Sequence, residues 1–156
     1  MGAACSVIPD VDVVAFEVGI SHDRLLGHRG LSHSLLFATL LGGLSVALFF
    51  RNVHQFRARA KLFVYFTAAT ASHGLLDAMT DGGLGVAFFA PFSSERYFFP
   101  WRPIKVSPIG ATAFFSQEGA EALLSELIWL WLPAVSLIAG SLWLFRRSVG
   151  RASIQR

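Results

Sequence analysis

Three long apolar segments constrain the fold of this chain more than any other feature of its sequence. They run from Leu31 to Phe50, from Leu62 to Thr80 and from Leu123 to Phe145, and their only carboxylates are Asp77 and Glu126. Each has roughly the 20 residues that an α-helix needs to cross a hydrocarbon core of ~30 Å. Only 15% of the chain is charged, whereas a soluble domain carries about a quarter.

These segments predict an all-α integral membrane helical bundle with three full spans, at about 31–50, 62–80 and 123–145. A short apolar stub, Met1 to Ile8, precedes them and is too short to cross a membrane. We expect residues 1–156 to form a single membrane domain with an outer loop at 81–122. Glu17, His22 and Asp23 are expected in a connecting loop.

Lysine and arginine lie mostly at one end of the predicted spans. They are Arg51, Arg57, Arg59 and Lys61 in the first connecting loop, and Arg146, Arg147, Arg151 and Arg156 in the tail. Basic loops stay in the cytoplasm, so residues 51–61 and the C-terminus are expected inside, and 1–30 and 81–122 outside. The chain is therefore predicted to be a multi-pass membrane protein.

Histidine and aspartate fall at the outer ends of these segments. They are Asp10, Asp12, His28, His33, His73, Asp77 and Asp81. Ionisable groups at membrane depth indicate a functional site, and imidazole with carboxylate is typical of a metal site. His73 and Asp77 are four apart and share one helix face. A buried histidine–aspartate hydrogen bond is the alternative for that pair alone, but the depth shared with the other residues favours metal.

Two further residues are candidates for catalysis. Arg29, between the two histidines of GHRGLSHS, has a guanidinium fork that suits a phosphate or a carboxylate, although a headgroup anchor is an equal alternative. Asp81 continues the His73–Asp77 face if the helix persists, and Glu126 is a candidate proton carrier. No nucleophile-elbow or phosphate-loop motif competes with the metal hypothesis, and the short basic loops do not indicate nucleic acid.

The predicted outer loop contains GVAFFAPFSSERYFFPWRPI, in which aromatic residues alternate with prolines and arginines. Proline prevents a continuous helix, and aromatic residues with a few cations suit the lipid headgroup level. Two interpretations follow: an interfacial aromatic belt, which we favour, or a lid over a site that faces lipid.

The ordered motifs PDVDVVAF, GHRGLSHSLLFA, SHGLLDAMTDGGLG and PFSSERYFFPWRPI resemble the YdjM-like family of inner-membrane metal-dependent hydrolases. The name of that family also mentions binding to the LexA repressor. The resemblance implies a location in the bacterial inner membrane. It also implies metal-site roles for Asp10, Asp12, His28, His33, His73 and Asp77. Family members usually begin with a longer apolar helix than MGAACSVI, so a late start or a truncated first helix is expected here.

Together these patterns predict a membrane-bound metal-dependent hydrolase that acts on a phosphate ester of a lipid or lipid-linked substrate near the outer leaflet. The expected cofactor is one or two divalent metal ions, zinc or manganese. The expected partner is membrane lipid, without nucleic acid, and a protein partner stays open. The main alternative is a non-enzymatic membrane adaptor with a structural metal site. A metal or proton carrier is disfavoured because residues 39–50 and 62–66 offer few polar groups.

Overall fold

Residues 1–14, 19, 21, 24–108 and 110–154 are described by a computed structural model, without the side chains of Ala111 and 148–154. Glu17, His22 and Asp23 therefore lie outside the described residues. Contacts divide the chain into two compact units, Met1–Arg102 and Pro103–Arg156. Across the described ranges the regular elements are helical and no strand is found, which confirms the all-α class. The prediction of one membrane domain stays a prediction.

The first unit is built on three α-helices and two short 3₁₀ turns. The helices are α1 (Gly2–Val7), α2 (Leu35–Phe49) and α3 (Phe56–Asp77), and the 3₁₀ turns are Ile8–Val13 and Leu31–His33. Both α1 and α2 pack against α3. A β-carbon on Gly42 of α2 would lie 2.3 Å from Thr67 Oγ1 of α3. Glycine at that position therefore permits close approach of the two helices.

A small apolar core joins these helices. Its buried members are Cys5 of α1, Val46 of α2 and Phe66 of α3, and partly buried residues pack around them, namely Leu41, Phe50, Leu62 and Phe63. Burial of such side chains stabilises the fold by roughly 25 cal/mol per Å² of apolar surface. The core therefore holds α1 against the C-terminal half of α2 and the N-terminal half of α3.

The first two predicted spans are not supported as full spans. Residues 31–33 form a 3₁₀ turn and Ser34 is extended, so α2 begins at Leu35 and has 15 residues. Ser34 Oγ accepts a hydrogen bond from the Phe37 amide at 3.1 Å, which is the usual function of an N-cap. The helix predicted at 62–80 begins earlier, at Phe56, and its first turns include Arg57, Arg59 and Lys61.

The second unit contains α4 (Ala111–Phe114), α5 (Gln117–Glu126) and α6 (Leu132–Ile154). A π-helical turn, Leu127–Trp131, joins α5 to α6 without a break. Proline clashes with the carbonyl four residues earlier in an α-helix, so the wider turn before Pro133 is the natural response. Lys105 pairs with Glu121, and the Lys105 amide donates to Ser125 Oγ at 2.9 Å.

Within the described residues, one helix is long and apolar enough to cross a membrane. It runs from Gln117 to Arg147, has 31 residues with a mean hydropathy of 1.8 over its most apolar window, and none of that window is buried. The third predicted span therefore lies inside a suitable helix, whereas three full spans and a multi-pass topology are not supported. The assignment of 51–61 and 81–122 to opposite sides depended on those spans and stays untested.

Candidate metal centre

Four side chains from three parts of the first unit converge at one point. Asp10 comes from the first 3₁₀ turn, His33 ends the second, and His73 and Asp77 lie at the C-terminal end of α3. One ligand atom from each of these four residues lies within 4.8 Å of all the others. The structure thus brings together residues that are 63 positions apart in sequence. We call this set the four-donor group.

The closest contacts within the four-donor group join each histidine to a carboxylate. His73 Nε2 lies 3.0 Å from Asp10 Oδ1. His33 Nε2 lies 3.1 Å from Asp77 Oδ2 and 3.6 Å from Asp10 Oδ1. His73 and Asp77, paired in the sequence analysis by their spacing, are 3.8 Å apart at Nε2 and Oδ2.

Two buried polar atoms of this group lack hydrogen bonds. His33 Nε2 and Asp77 Oδ2 are both buried, and neither has a hydrogen-bond partner of acceptable geometry. Buried polar atoms are nearly always paired, so each exception requires an explanation. A nitrogen and an oxygen that face each other in this way fit a shared cation, since imidazole and carboxylate are both common ligands of zinc. The residues present therefore fit a divalent metal ion.

A second group lies on the other side of His33. Its members are Asp12, His28 and His33, whose ligand atoms also lie within 4.8 Å of one another. Asp12 Oδ1 is 2.7 Å from His28 Nδ1, and Asp12 Oδ2 is 3.2 Å from His33 Nδ1. The Ser32 hydroxyl donates to the same carboxylate. His33 therefore belongs to both groups, through Nε2 in one and Nδ1 in the other.

These contacts control the charges of the cluster. Burial would lower the pKa of His33, but the carboxylates of Asp10, Asp12 and Asp77 around its ring raise that pKa to about 10. Burial would raise the pKa of Asp10 and Asp12, yet neighbouring groups hold both well below the ordinary value of 3.8. These neighbours are His33 and His73 for Asp10, and His28, His33 and Ser32 for Asp12. The carboxylates are ionised at neutral pH and attract a cation.

Arg29, for which the sequence suggested binding of an anion, lies almost entirely inside the protein, and that role stays untested. It is only 5% exposed, and its guanidinium lies against Asp77, Thr80 and the carbonyl of Gly82. Such an enclosed side chain is better suited to holding Asp77 than to meeting a substrate anion. Its contacts with Thr80 and Gly82 join residues about 50 positions apart, and no sequence signal identifies them.

The remaining candidates lie outside the two donor groups. Asp81 is exposed in the turn that follows α3 and belongs to neither group. Glu126 ends α5 in the second unit. The catalytic role predicted for Asp81 and the proton-carrier role predicted for Glu126 stay untested.

The aromatic loop, which we define as residues 88–101, is tied by backbone contacts to the segments that carry the cluster. The amide of Leu35 donates to Phe88 O at 3.0 Å, and the amide of Phe99 donates to Ala78 O at 2.8 Å. Arg96 Nη1 donates to His28 O at 3.1 Å. Several aromatic side chains of this loop remain exposed, namely Phe89, Phe92, Tyr97, Phe99 and Trp101. The loop thus presents apolar surface from a base shared with the cluster.

Comparison with known proteins relates the chain to inner membrane proteins. The family model described as YdjM inner membrane protein matches residues 1–148. Inner membrane protein YbcI of Escherichia coli (strain K12) is 40% identical over 147 residues, which is 94% of this chain and 83% of that protein. Neither description names an activity, a substrate or a binding partner. No solved structure matches the chain.

Proposed function

The chain belongs to the YdjM family of inner membrane proteins, and on that premise we propose that it is a metal-dependent hydrolase with one divalent ion in the four-donor group. The observation that carries the proposal is the mutual approach of His33 Nε2 and Asp77 Oδ2, buried and without hydrogen-bond partners. Both atoms face the point on which Asp10 and His73 also converge. Zinc or manganese suits this mixed nitrogen and oxygen set.

The charges of the cluster favour one ion over two. Asp10, Asp12 and Asp77 supply three negative charges, and Arg29 supplies one positive charge. Because a histidine gives up its extra proton when it binds a metal ion, the imidazoles count as neutral, and one divalent ion would balance the resulting two negative charges. Buried charge is tolerated mainly when it is paired. A second ion in the group of Asp12, His28 and His33 would require His33 to bind metal through both nitrogens. In that arrangement the His33 ring would have to lose the protons of both nitrogens and become an imidazolate.

Asp12 then acts on the ion through His33. A metal-bound histidine usually directs its second ring nitrogen at a carboxylate, which fixes the ring and its tautomer. Here Nδ1 of His33 lies 3.2 Å from Asp12 Oδ2, and Nε2 points to the four-donor group. His28 and Ser32 hold the Asp12 carboxylate from two further directions. In this proposal Asp12 and His28 support the site, although sequence assigned both as ligands.

The chemistry proposed is hydrolysis of a phosphate ester. A divalent ion held by the four-donor group would supply Lewis acidity and make water a stronger nucleophile at neutral pH. The Asp10 side chain is 44% exposed, so the four-donor group is open to solvent on that side. Water then adds to phosphorus, the ester P–O bond breaks, and the leaving alcohol takes up a proton.

The aromatic loop supports a lipid as the source of that ester. Exposed aromatic side chains suit the level of the lipid headgroups, and Phe92 is 86% exposed. The same loop is bound through its backbone to Leu35 and Ala78, which lie next to the candidate ligands in sequence. A headgroup at the membrane surface would thus be close to the cluster.

Metal content is the first test of the proposal. We expect the detergent-purified protein to contain one equivalent of zinc or manganese by elemental analysis, and His73→Ala and Asp77→Asn to lose it. His54→Ala is the matched control, since His54 is exposed in the loop between α2 and α3. Two equivalents would support the second ion, and equal metal content in all four proteins would contradict the proposed site.

Turnover is the second test, and it separates the enzyme from the adaptor. The purified protein should release phosphate or a headgroup from vesicles that contain phosphatidic acid or phosphatidylglycerol, and the two metal-site variants should not. Phe92→Ser should slow turnover of these vesicles but not of a short-chain soluble analogue. Phe56→Ser, an equally exposed change outside the loop, should alter neither. Full metal occupancy with no turnover would favour the adaptor, in which a structural ion stabilises the fold.

A further inference from the structure

We propose that Arg29 is a positioning residue, which holds one oxygen of Asp77 so that only the other oxygen faces the metal ion. The inference rests on the metal site proposed above and goes beyond it, because it specifies how one ligand is presented. It also replaces the anion-binding role that sequence suggested for this arginine.

The two oxygens of Asp77 have different environments. Oδ1 accepts a hydrogen bond from Arg29 Nη2 at 3.3 Å. Oδ2 lies 3.2 Å from Arg29 Nε, but neither of these atoms has a hydrogen bond of acceptable geometry. Oδ2 is also the oxygen that lies 3.1 Å from His33 Nε2. The guanidinium lies against both oxygens, but its hydrogen bond goes to Oδ1, and Oδ2 keeps its unsatisfied acceptor capacity beside the four-donor group.

The guanidinium is itself fixed from the opposite side. Its Nη1 donates to Thr80 Oγ1 at 2.9 Å and to Gly82 O at 3.0 Å. The Thr80 hydroxyl in turn donates to the backbone carbonyl of Asp77 at 2.8 Å. Thr80 thus connects the arginine to the same residue whose carboxylate the arginine holds. Gly83 leaves room for this packing, since a β-carbon there would lie 2.9 Å from Nη1.

The backbone of Arg29 has an unusual conformation that its surroundings hold in place. Its φ of 62° is left-handed, and among the described residues no other non-glycine residue has a positive φ. Residues in this region persist when their surroundings determine them. Here the carbonyl of Arg29 accepts a hydrogen bond from Ala87 at 3.0 Å, and the following Gly30 lies too close to Leu25 O for any side chain.

The consequence for the site is a limit on how Asp77 binds. A carboxylate can bind an ion through one oxygen or both, and a guanidinium on Oδ1 excludes the second mode. With four protein donors, a position for water or substrate exists only when the ion is five- or six-coordinate, and one-oxygen binding by Asp77 keeps that position available. Lysine cannot reproduce this effect, because one ammonium group lacks the separate, rigidly spaced donors with which the guanidinium reaches Asp77 and Thr80.

The experiment uses the full-length protein loaded with Co²⁺, whose visible absorption weakens as its coordination number rises. We expect Arg29→Lys to weaken the absorption and to lower Co²⁺ affinity by roughly 10- to 100-fold, the range for loss of a residue that orients a ligand. Thr80→Val should weaken the absorption and lower the Co²⁺ affinity by a smaller amount. Thr80→Ser, which keeps the hydroxyl, should give the wild-type spectrum. Arg57→Lys, a change at the exposed start of α3, is the control.

The outcomes separate this inference from the metal site itself. Wild-type protein that takes up no Co²⁺ would refute the metal site on which the inference rests. Wild-type protein that binds Co²⁺, with Arg29→Lys unchanged in spectrum and affinity, would overturn the inference and leave the metal site standing. If Arg29→Lys does not fold, the comparison of Thr80→Val with Thr80→Ser decides. Wild-type Co²⁺ spectra for both of these variants would overturn the inference.

Discussion

The two compact units of the chain both contain strongly apolar helices, but those helices have different surroundings. In the first unit, α2 has 15 residues and buries Ala38, Gly42, Ser45 and Val46. In the second unit, the helix from Gln117 to Arg147 has 31 residues, and none of its most apolar window is buried. Apolar composition alone therefore does not separate a helix that packs within its unit from one that meets the requirements for crossing a membrane.

The polar residues show the same contrast. Both donor groups identified in the described chain belong to the first unit, at the start of α2 and the end of α3. The segment Leu31–His33 does not extend α2, because it turns and places His33 beside Asp10, Asp12 and Asp77. A helix that extended through Leu31 would give up this geometry. The first unit thus contains the candidate metal site, and the second unit is distinguished by a long apolar helix.

Removal of His33 should have the largest effect in the first unit. The side chain is fully buried and contacts three carboxylates, so His33→Ala leaves buried charges without a partner. Loss of one member of a buried ion pair costs about 3 to 5 kcal/mol. We expect that fall in the free energy of unfolding of the metal-free protein, measured by denaturant titration in detergent. His54→Ala should stay within about 0.5 kcal/mol, as exposed substitutions do, and an equally small change for His33→Ala would contradict the buried network.

A charge in the long helix should have the next largest effect, on membrane insertion. Leu137 is 73% exposed and lies within the apolar stretch of Gln117–Arg147. Arginine at the centre of a membrane helix disfavours insertion by about 2.5 to 3.5 kcal/mol on the translocon scale. In a glycosylation-based insertion assay, segment 117–147 should insert, its Leu137→Arg variant should not, and segment 35–49 should not. Efficient insertion of segment 35–49 would remove the distinction between the two units.

The sequence predicted the helical class and the proximity of the candidate ligands, but not the reason for that proximity. His73 and Asp77 could be paired from their spacing alone, and the structure brings Asp10 and His33 to the same point. At the start of α2, the amide of Leu35 donates a hydrogen bond to Phe88 O, a tertiary contact that no local pattern reveals. The partners of Arg29 were inaccessible for the same reason, since they lie on the distant turn at Thr80 and Gly82.

A pair of glycine substitutions compares packing in the two units directly. Gly42→Ala places a methyl group 2.3 Å from Thr67 Oγ1, whereas Gly140→Ala in α6 meets no atom within 4 Å. Overpacking costs about 1 to 3 kcal/mol, so Gly42→Ala should lower the free energy of unfolding. Alanine is the better helix former by about 1 kcal/mol, so Gly140→Ala should be neutral or stabilising. Equal destabilisation by both substitutions would show that the long helix is as closely packed as α2.

The smallest expected effect concerns the residue at which α2 begins. Ser34 is buried, its hydroxyl caps the helix through the Phe37 amide, and its neighbour His33 belongs to the four-donor group. Loss of an N-cap costs about 1 kcal/mol, so Ser34→Ala should lower the free energy of unfolding by that amount, and Ser34→Thr should retain most of it. If the cap also fixes the orientation of His33, Ser34→Ala should weaken metal binding as well, whereas Ser116→Ala, before α5 in the second unit, should not. A loss of stability without a change in metal affinity would show that the start of α2 and the presentation of His33 are independent.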